Sequence, residues 1–176
     1  ELLDDFKQEH LPFFRLSASQ PRWLDIFEQI LQAYEPLRVG YQCYQYNING
    51  QIRDISIPEG FEFRPVNEAL LQEEFAGRED LMEEMCSERV SVEAFLEKSF
   101  GIAAFHDKAL AGWCLSEYNH ENRCEIGIAT MPPYQQRGLA RAMTHTFLNL
   151  AIDQGIDTVL WHCFKSNLPS NRTALS

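Results

Sequence analysis

The stretch "IGIATMPPYQQRGLARAMTHTFLNL", Ile126–Leu150, decides the fold. An alternating apolar run ends near Thr130, and Pro132-Pro133 fix an extended exit. From Gly138 to Asp153 a helix is expected, because Leu139, Met143, Phe147, Leu150 and Ala151 share one face. Gly155 is positioned to cap it. "TVLWHCF" follows and is rich in strand formers. The chain therefore reads strand, helix, strand, a crossover that runs right-handed within one sheet.

The hexapeptide "QQRGLA" (Gln135–Ala140) stands at the first junction. The first N–H groups of a helix have no internal partner, and the helix dipole puts partial positive charge there. Gly138 lets the backbone approach a ligand, and Arg137 and Arg141 add charge. These features suit a pyrophosphate-sized anion. It is not a P-loop, since no Gly-Lys pair leads into Ser or Thr, and it lacks the three spaced glycines of a dinucleotide fingerprint. A junction in which Gly138 only eases packing explains the six residues equally well.

Outward from this stretch, "FGIAAFH" and "ALAGWCLSEY" read as strands around a tight Asp107-Lys108 turn, and "RCEIGIAT" as the next strand. Upstream, "FEFRPV" is a short strand. Helices are expected around 68–75, 80–86 and 92–98, the last with Ser91 as N-cap. Before them, "SQPRWLDIFEQILQAYEP" sets Trp23, Leu24, Phe27, Ile30, Leu31 and Tyr34 on one helical stripe, with Ser19 as N-cap and Pro36 as the stop. "YQCYQYNINGQIRDISI" carries Asn49-Gly50 between two strand-like runs, a hairpin signal. The fold class is α/β: a mixed, mostly antiparallel sheet with flanking helices. Residues 1–58 read as a helix and hairpin extension, and 59–176 as the main domain. The chain opens on Glu1 rather than Met and stops soon after a helix begun at Pro169. Further sequence is therefore expected on both sides.

Of 176 residues 45% are hydrophobic, enough for a packed core. The net charge of -11 is unevenly placed: residues 1–99 hold 20 acidic and 9 basic side chains, residues 100–176 hold 6 of each. Nucleic acid is excluded as a partner for want of a basic face. An acidic half suits a cationic partner, although most such charges are solvated helix faces. No apolar run reaches membrane-spanning length. Cys43, Cys86, Cys114, Cys124 and Cys163 show no metal-ligand spacing, so no metal is expected. An odd count without a secretory signal argues for reduced thiols in a cytoplasmic protein.

Gln135, Gly138 and Ala140, set between a strand and a long helix, match a Gln/Arg-x-x-Gly-x-Gly/Ala pattern. It resembles the acyl-CoA signature of the GNAT (GCN5-related) N-acetyltransferases. The element order from Glu59 to Ser176 is similar to theirs. "EIGIAT" before the signature, with Trp161, Asn167 and Ser170 after it, resembles the zwittermicin-resistance-type subgroup. The resemblance implies a central splayed strand pair and acetyl-CoA as co-substrate. It implies that the backbone of Ile128, Ala129 and Thr130 pairs with the pantetheine arm. The N–H groups of Gln136, Arg137, Gly138, Leu139 and Ala140 would hold the pyrophosphate, with Gln135 opening the loop. Asn167 would bond near the thioester.

The implied reaction is direct attack of an amine on the thioester, which needs a base. Glu125 is the first candidate, on the signature strand. A solvent-facing carboxylate or a partner of Arg123 is an equal reading of it. Glu117 and His120 come second. The family's tyrosine acid falls at Ala174, and its last two strands are absent, so the acceptor-side sheet edge is expected to be open. His162 and Cys163 alternate to opposite faces and form no dyad. His145 lacks a carboxylate, and Trp113 and Trp161 read as core. Cys114 and Cys124 could face each other across strands, but a disulfide is disfavoured. The acceptor is a small amine-bearing molecule or an N-terminal or lysine amine. A non-catalytic acyl-CoA-binding or regulatory domain is the alternative. Whether the extension covers the cleft, forms a homodimer or only packs stays open.

Overall fold

The computed structural model describes residues 20–50 and 56–176. The chain divides into two compact units, Glu1–Val39 and Gly40–Ser176. In the first, helix α1 (Pro21–Ile30) starts on Pro21, whose fixed φ suits a first turn. The expected cap, Ser19, lies outside the described residues. A 3-10 turn, Gln32–Tyr34, ends at Glu35 in the left-handed region, just before Pro36. Arg38 fastens the loop back to α1, donating to Glu28 Oε1 at 2.7 Å and Asp25 Oδ1 at 2.9 Å. Of the expected apolar stripe, Leu31 is buried, while Trp23 and Ile30 stay exposed.

The second unit holds strands β1 (Tyr41–Asn47) and β2 (Phe61–Pro65), and then helices α2 (Glu68–Leu71), α3 (Arg78–Met85) and α4 (Val92–Lys98). Strands β3 (Gly101–His106), β4 (Ala109–His120) and β5 (Arg123–Thr130) follow. A 3-10 turn (Pro132–Tyr134), helix α5 (Leu139–Asp153), strand β6 (Thr158–Phe164) and helix α6 (Leu168–Ala174) complete it. Local signals set the ends. Asn67 and Ser91 accept from the N–H groups of Leu70 and Ala94 as N-caps. Gly155, at φ 76°, stops α5.

One six-stranded sheet runs in the order β1-β6-β5-β4-β3-β2. Every pairing is antiparallel except β5 with β6, the pair joined through α5. Tyr41–Asn47, assigned from the sequence to an appended hairpin, pairs with β6 along its whole length, from Tyr41↔Phe164 to Asn47↔Thr158. The sheet-bearing unit therefore starts at Gly40, not at Glu59. β1 therefore covers the edge of β6. A bare edge presents unpaired N–H and C=O groups, and the alternating "YQCYQYN" satisfies them. The returning arm of the expected hairpin, 51–55, lies outside the described residues.

The sheet separates two cores. On one face Leu139, Met143, Phe147 and Ala151 of α5 pack against Ile102, Cys114, Ile126, Val159 and Trp161. On the other, Leu70, Leu81, Met85 and Phe95 of α2–α4 pack against Phe105, Trp113 and Leu115.

Candidate active site

β5 and β6 are in register only at Arg123↔Thr158, Cys124↔Val159 and Glu125↔Leu160. Beyond Glu125 they part, while β5 stays paired to β4 through Thr130. The edge of β5 from Ile126 to Thr130 is thus open toward β6. Ile128 packs into the α5-side core and Ala129 into the opposite one, so their side chains leave and the backbone is what the opening presents. At its end Thr130 Oγ1 is shielded and makes no hydrogen bond among the described residues.

Gln135 Nε2 donates to Thr130 O at 3.0 Å, drawing the loop back to the strand end. Tyr134 stacks on His106 at 5.5 Å and meets Phe61 edge-on at 5.7 Å. Arg137 lies over the Tyr134 ring at 5.9 Å, which holds a cation beside the start of α5. Gln136 and Gly138 have φ 60° and 76°. A Cβ added to Gly138 would meet nothing within 4 Å. The glycine is therefore required by its left-handed backbone rather than by lack of room. No side chain caps α5. The N–H groups of Leu139, Ala140 and Arg141 point outward with the positive end of a 15-residue helix behind them. An open strand edge leading to an uncapped helix N-terminus fits an extended arm ending in phosphates.

The face bearing α3 and α4 carries carboxylates. Ser116 pairs with Ile126 and Asn119 with Cys124, so β4 holds one extra residue in a bulge at Glu117–Tyr118. Asn119 Nδ2 donates to Lys98 O at 2.6 Å and Ser116 Oγ at 3.1 Å, fixing the bulge. The bulge turns Glu117 onto β5. A Cβ built on Gly127 would fall 1.8 Å from Glu117 Oε1. Burial, then the charges of Glu125, Glu84 and Glu88, push the Glu117 carboxyl up to about 7. Its proton is therefore exchangeable at neutral pH, as a general base requires.

Glu125 Oε1 accepts a hydrogen bond from His162 Nδ1–H at 2.8 Å, across the point where the strands part. Arg123, one alternative reading of its role, forms no ion pair with it among the described residues. Burial also raises Glu84, helped by Glu88 and Glu83, while the Trp113 indole opposes the shift. Tyr118 donates to Glu88 and is pushed up to about 12, chiefly by that bond. A cleft of about 580 Å³ opens here, lined by Asp80, Glu83, Glu84, Cys86, Ser87, Trp113 and Met131.

Asn167 stands at the start of α6. Its Oδ1 accepts from Ser170 N at 3.2 Å and caps α6. Trp161 Nε1–H donates to Ser170 Oγ at 2.9 Å. Trp161, Asn167 and Ser170 thus form a clasp between β6 and α6. Tyr44 of β1 reaches the same helix, donating to Asn171 Oδ1 at 2.7 Å, and packs in one cluster with Ala174. His120 is exposed at the far end of β4. His162 is exposed and Cys163 buried, as alternation demands. Cys114 and Cys124 are free thiols held far from ionisation by burial. Among the described residues no group of His, Cys, Asp or Glu is arranged to hold a metal. None of the described helices is long and apolar enough to cross a membrane.

A splayed mixed sheet with a glycine-led helix at the opening is the architecture of the GCN5-related N-acetyltransferases. The chain belongs to the GNAT acetyltransferase family, whose model matches residues 1–175. It is 25% identical over 150 residues to an uncharacterized N-acetyltransferase, YdfB, of Bacillus subtilis (strain 168), covering 85% of this chain and 56% of that protein. A GCN5-related N-acetyltransferase-like protein from Streptococcus suis 89/1591 superposes with a TM-score of 0.61 at 20% identity, over 89% of this chain and 62% of that one. The aminoglycoside N-acetyltransferase AAC(6')-Iy, in complex with CoA, matches with a TM-score of 0.52 at 16% identity, over 65% of this chain and 87% of its own. The two structural likenesses carry the fold. The chain spans less than two thirds of the Bacillus and Streptococcus proteins.

Proposed function

We propose that the protein transfers an acetyl group from acetyl-CoA to an amine by direct attack of the amine on the thioester. The observation that carries this reading is the open edge of β5. It meets the uncapped start of α5 at one end. At the other stands a carboxyl of pKa about 7, Glu117. Acetyl-CoA bound there supplies an activated acetyl group. The backbone of Ile128, Ala129 and Thr130 aligns the pantetheine arm as an added strand would. The N–H groups from Gln136 to Ala140, with Arg137, hold the pyrophosphate.

An ammonium ion does not attack, so the acceptor must lose a proton. Glu117 and Glu125 form a coupled carboxylate pair on the acceptor side, and Glu117 takes the proton. Glu125, oriented by His162, supplies the negative charge that helps keep the Glu117 carboxyl near neutrality. Asn167, the cap of α6, bonds near the thioester. Ala174 offers no proton, and a thiolate is a good enough leaving group to depart without one.

Release of free thiol from acetyl-CoA by the full-length protein, across a panel of amines, tests the reading. Amine-dependent release supports it. Tight acetyl-CoA binding with no release under any amine would instead identify a binding or regulatory domain, the reading that Ala174 favours.

A further inference from the structure

Arg141 stands exposed in the first turn of α5, on the face opposite the buried Leu139, Met143 and Phe147. A cation there has the wrong sign, because the helix dipole puts partial positive charge at the same end. Acidic side chains favour that turn, and α5 has none. The positions three and four residues from Arg141 are Arg137, Gly138, Thr144 and His145, so no carboxylate reaches it along the helix. The first carboxylate on α5 is Asp153, about 18 Å along the axis. None of the ion pairs among the described residues includes Arg137 or Arg141. Two uncompensated cations thus share one helix start in a chain of net charge -11.

The two arginines are placed differently. Arg137 precedes the helix and lies over the Tyr134 ring at 5.9 Å. It stands beside the N–H groups assigned above to the diphosphate. Arg141 is one turn further on, about 6 Å along the axis. His145 follows at the next turn, and burial and then the charge of Arg141 lower its imidazole. Arg141 and His145 are therefore close enough to act on one anion together. Coenzyme A carries a third phosphate, on the ribose 3′ oxygen. It lies one ribose from the diphosphate, a span comparable with one helical turn. A phosphate monoester is close to doubly charged at neutral pH, and the planar guanidinium fork matches its oxygens.

Resting on the acyltransferase reading, we propose that Arg141 binds the 3′-phosphate of coenzyme A, with His145 flanking it. Arg137 and the loop N–H groups keep the diphosphate. Arg141 then selects the fully phosphorylated cofactor over an acyl carrier that lacks the 3′-phosphate. The unfavourable setting of Arg141 against the helix dipole is offset once the phosphate arrives.

Titration calorimetry of the full-length protein with CoA and with 3′-dephospho-CoA reads the contact. Wild type should bind CoA tighter by about tenfold or more, a preference that added salt erodes. Arg141→Gln should bring CoA down to the affinity of dephospho-CoA, and should leave dephospho-CoA binding within about twofold. Without ligand the same variant should melt at or slightly above wild type, since a cation has left the positive end of α5. By NMR the His145 imidazole should titrate higher with CoA bound than with dephospho-CoA bound. Equal affinity of wild type for the two ligands overturns the inference. So does an Arg141→Gln variant that weakens both ligands equally, because Arg141 would then belong to the diphosphate. Failure of wild type to bind either ligand defeats the acyltransferase reading itself, and the inference falls with it.

Discussion

The carboxylate of Glu117 lies over the Cα of Gly127, so close that an added Cβ would sit 1.8 Å from Oε1. A bulge in β4 and a glycine in β5 thus bring a carboxyl to the place where the strands part. The obstructing atom is the far end of a flexible side chain, so Gly127→Ala should fold with a melting temperature near the wild type's. The displaced carboxylate should lower kcat by about tenfold or more, a one-ångström misplacement being that damaging. Acetyl-CoA affinity should hold. Calorimetry and steady-state kinetics on the same variant check all three.

Glu117 also links stability to pH. Its carboxyl rises from 4.5 to about 7 on folding, chiefly by burial and then by Glu125, Glu84 and Glu88. The folded state therefore binds the proton more tightly than the unfolded chain. Stability from this group is complete below pH 4.5 and is lost as pH rises through about 7. Charged Glu117 then costs up to about 3 kcal/mol, less where water screens it. Glu117→Gln should melt several degrees above wild type at pH 8, and the difference should shrink at pH 5. Thermal scans at both values check the sign.

Gly138 makes a separate prediction on the ligand side. An alanine there has room but must hold φ 76°, at about 1–2 kcal/mol for a residue with a Cβ. Relief of that strain would turn the first N–H groups of α5 away from the phosphates. Gly138→Ala should weaken acetyl-CoA binding about tenfold and leave the kcat of the saturated enzyme nearly unchanged. Titration calorimetry with CoA reads the affinity.

On the proposed reading the acceptor enters beside Glu117, and Cys86 lines the neighbouring cleft and is exposed, whereas Cys114, Cys124 and Cys163 are buried. Alkylation should therefore inhibit by raising the acceptor KM rather than the acetyl-CoA KM. Cys86→Ser should abolish that inhibition even with Cys43 still exposed and reactive.

Local chemistry made much of the fold legible. Ser91, Gly155 and the Asp107-Lys108 turn each act within a few residues of themselves, so sequence signals fix them. The signature strand and the start of α5 were legible because a strand, two prolines and a glycine fall in succession. Tyr41–Asn47 was readable as a strand, but its partner β6 is distant in the chain and only tertiary structure pairs Tyr44 with Trp161. The site shows the same division. The loop from Gln135 to Ala140 is contiguous. Glu117 reaches Gly127 through a bulge that carries no sequence mark, and Glu125 meets His162 only because β5 and β6 share three register pairs. The best signal available was the glycine itself: Gly127 in an otherwise apolar strand marks a close approach. Trp161, Asn167 and Ser170 lie close in the sequence, and their hydrogen bonds tie β6 to α6.

The assignment of Glu117 as the base is tested most directly by the pH dependence of kcat/KM for wild type, Glu117→Gln and Glu125→Gln in the full-length protein. Wild type should rise along a single limb centred near the Glu117 value of about 7. Glu117→Gln should lose about a hundredfold and that limb with it. Glu125→Gln should keep the limb and move it to lower pH, since one of the charges raising Glu117 is gone. A limb near 7 that survives in Glu117→Gln and disappears in Glu125→Gln would contradict the account and return the base to Glu125.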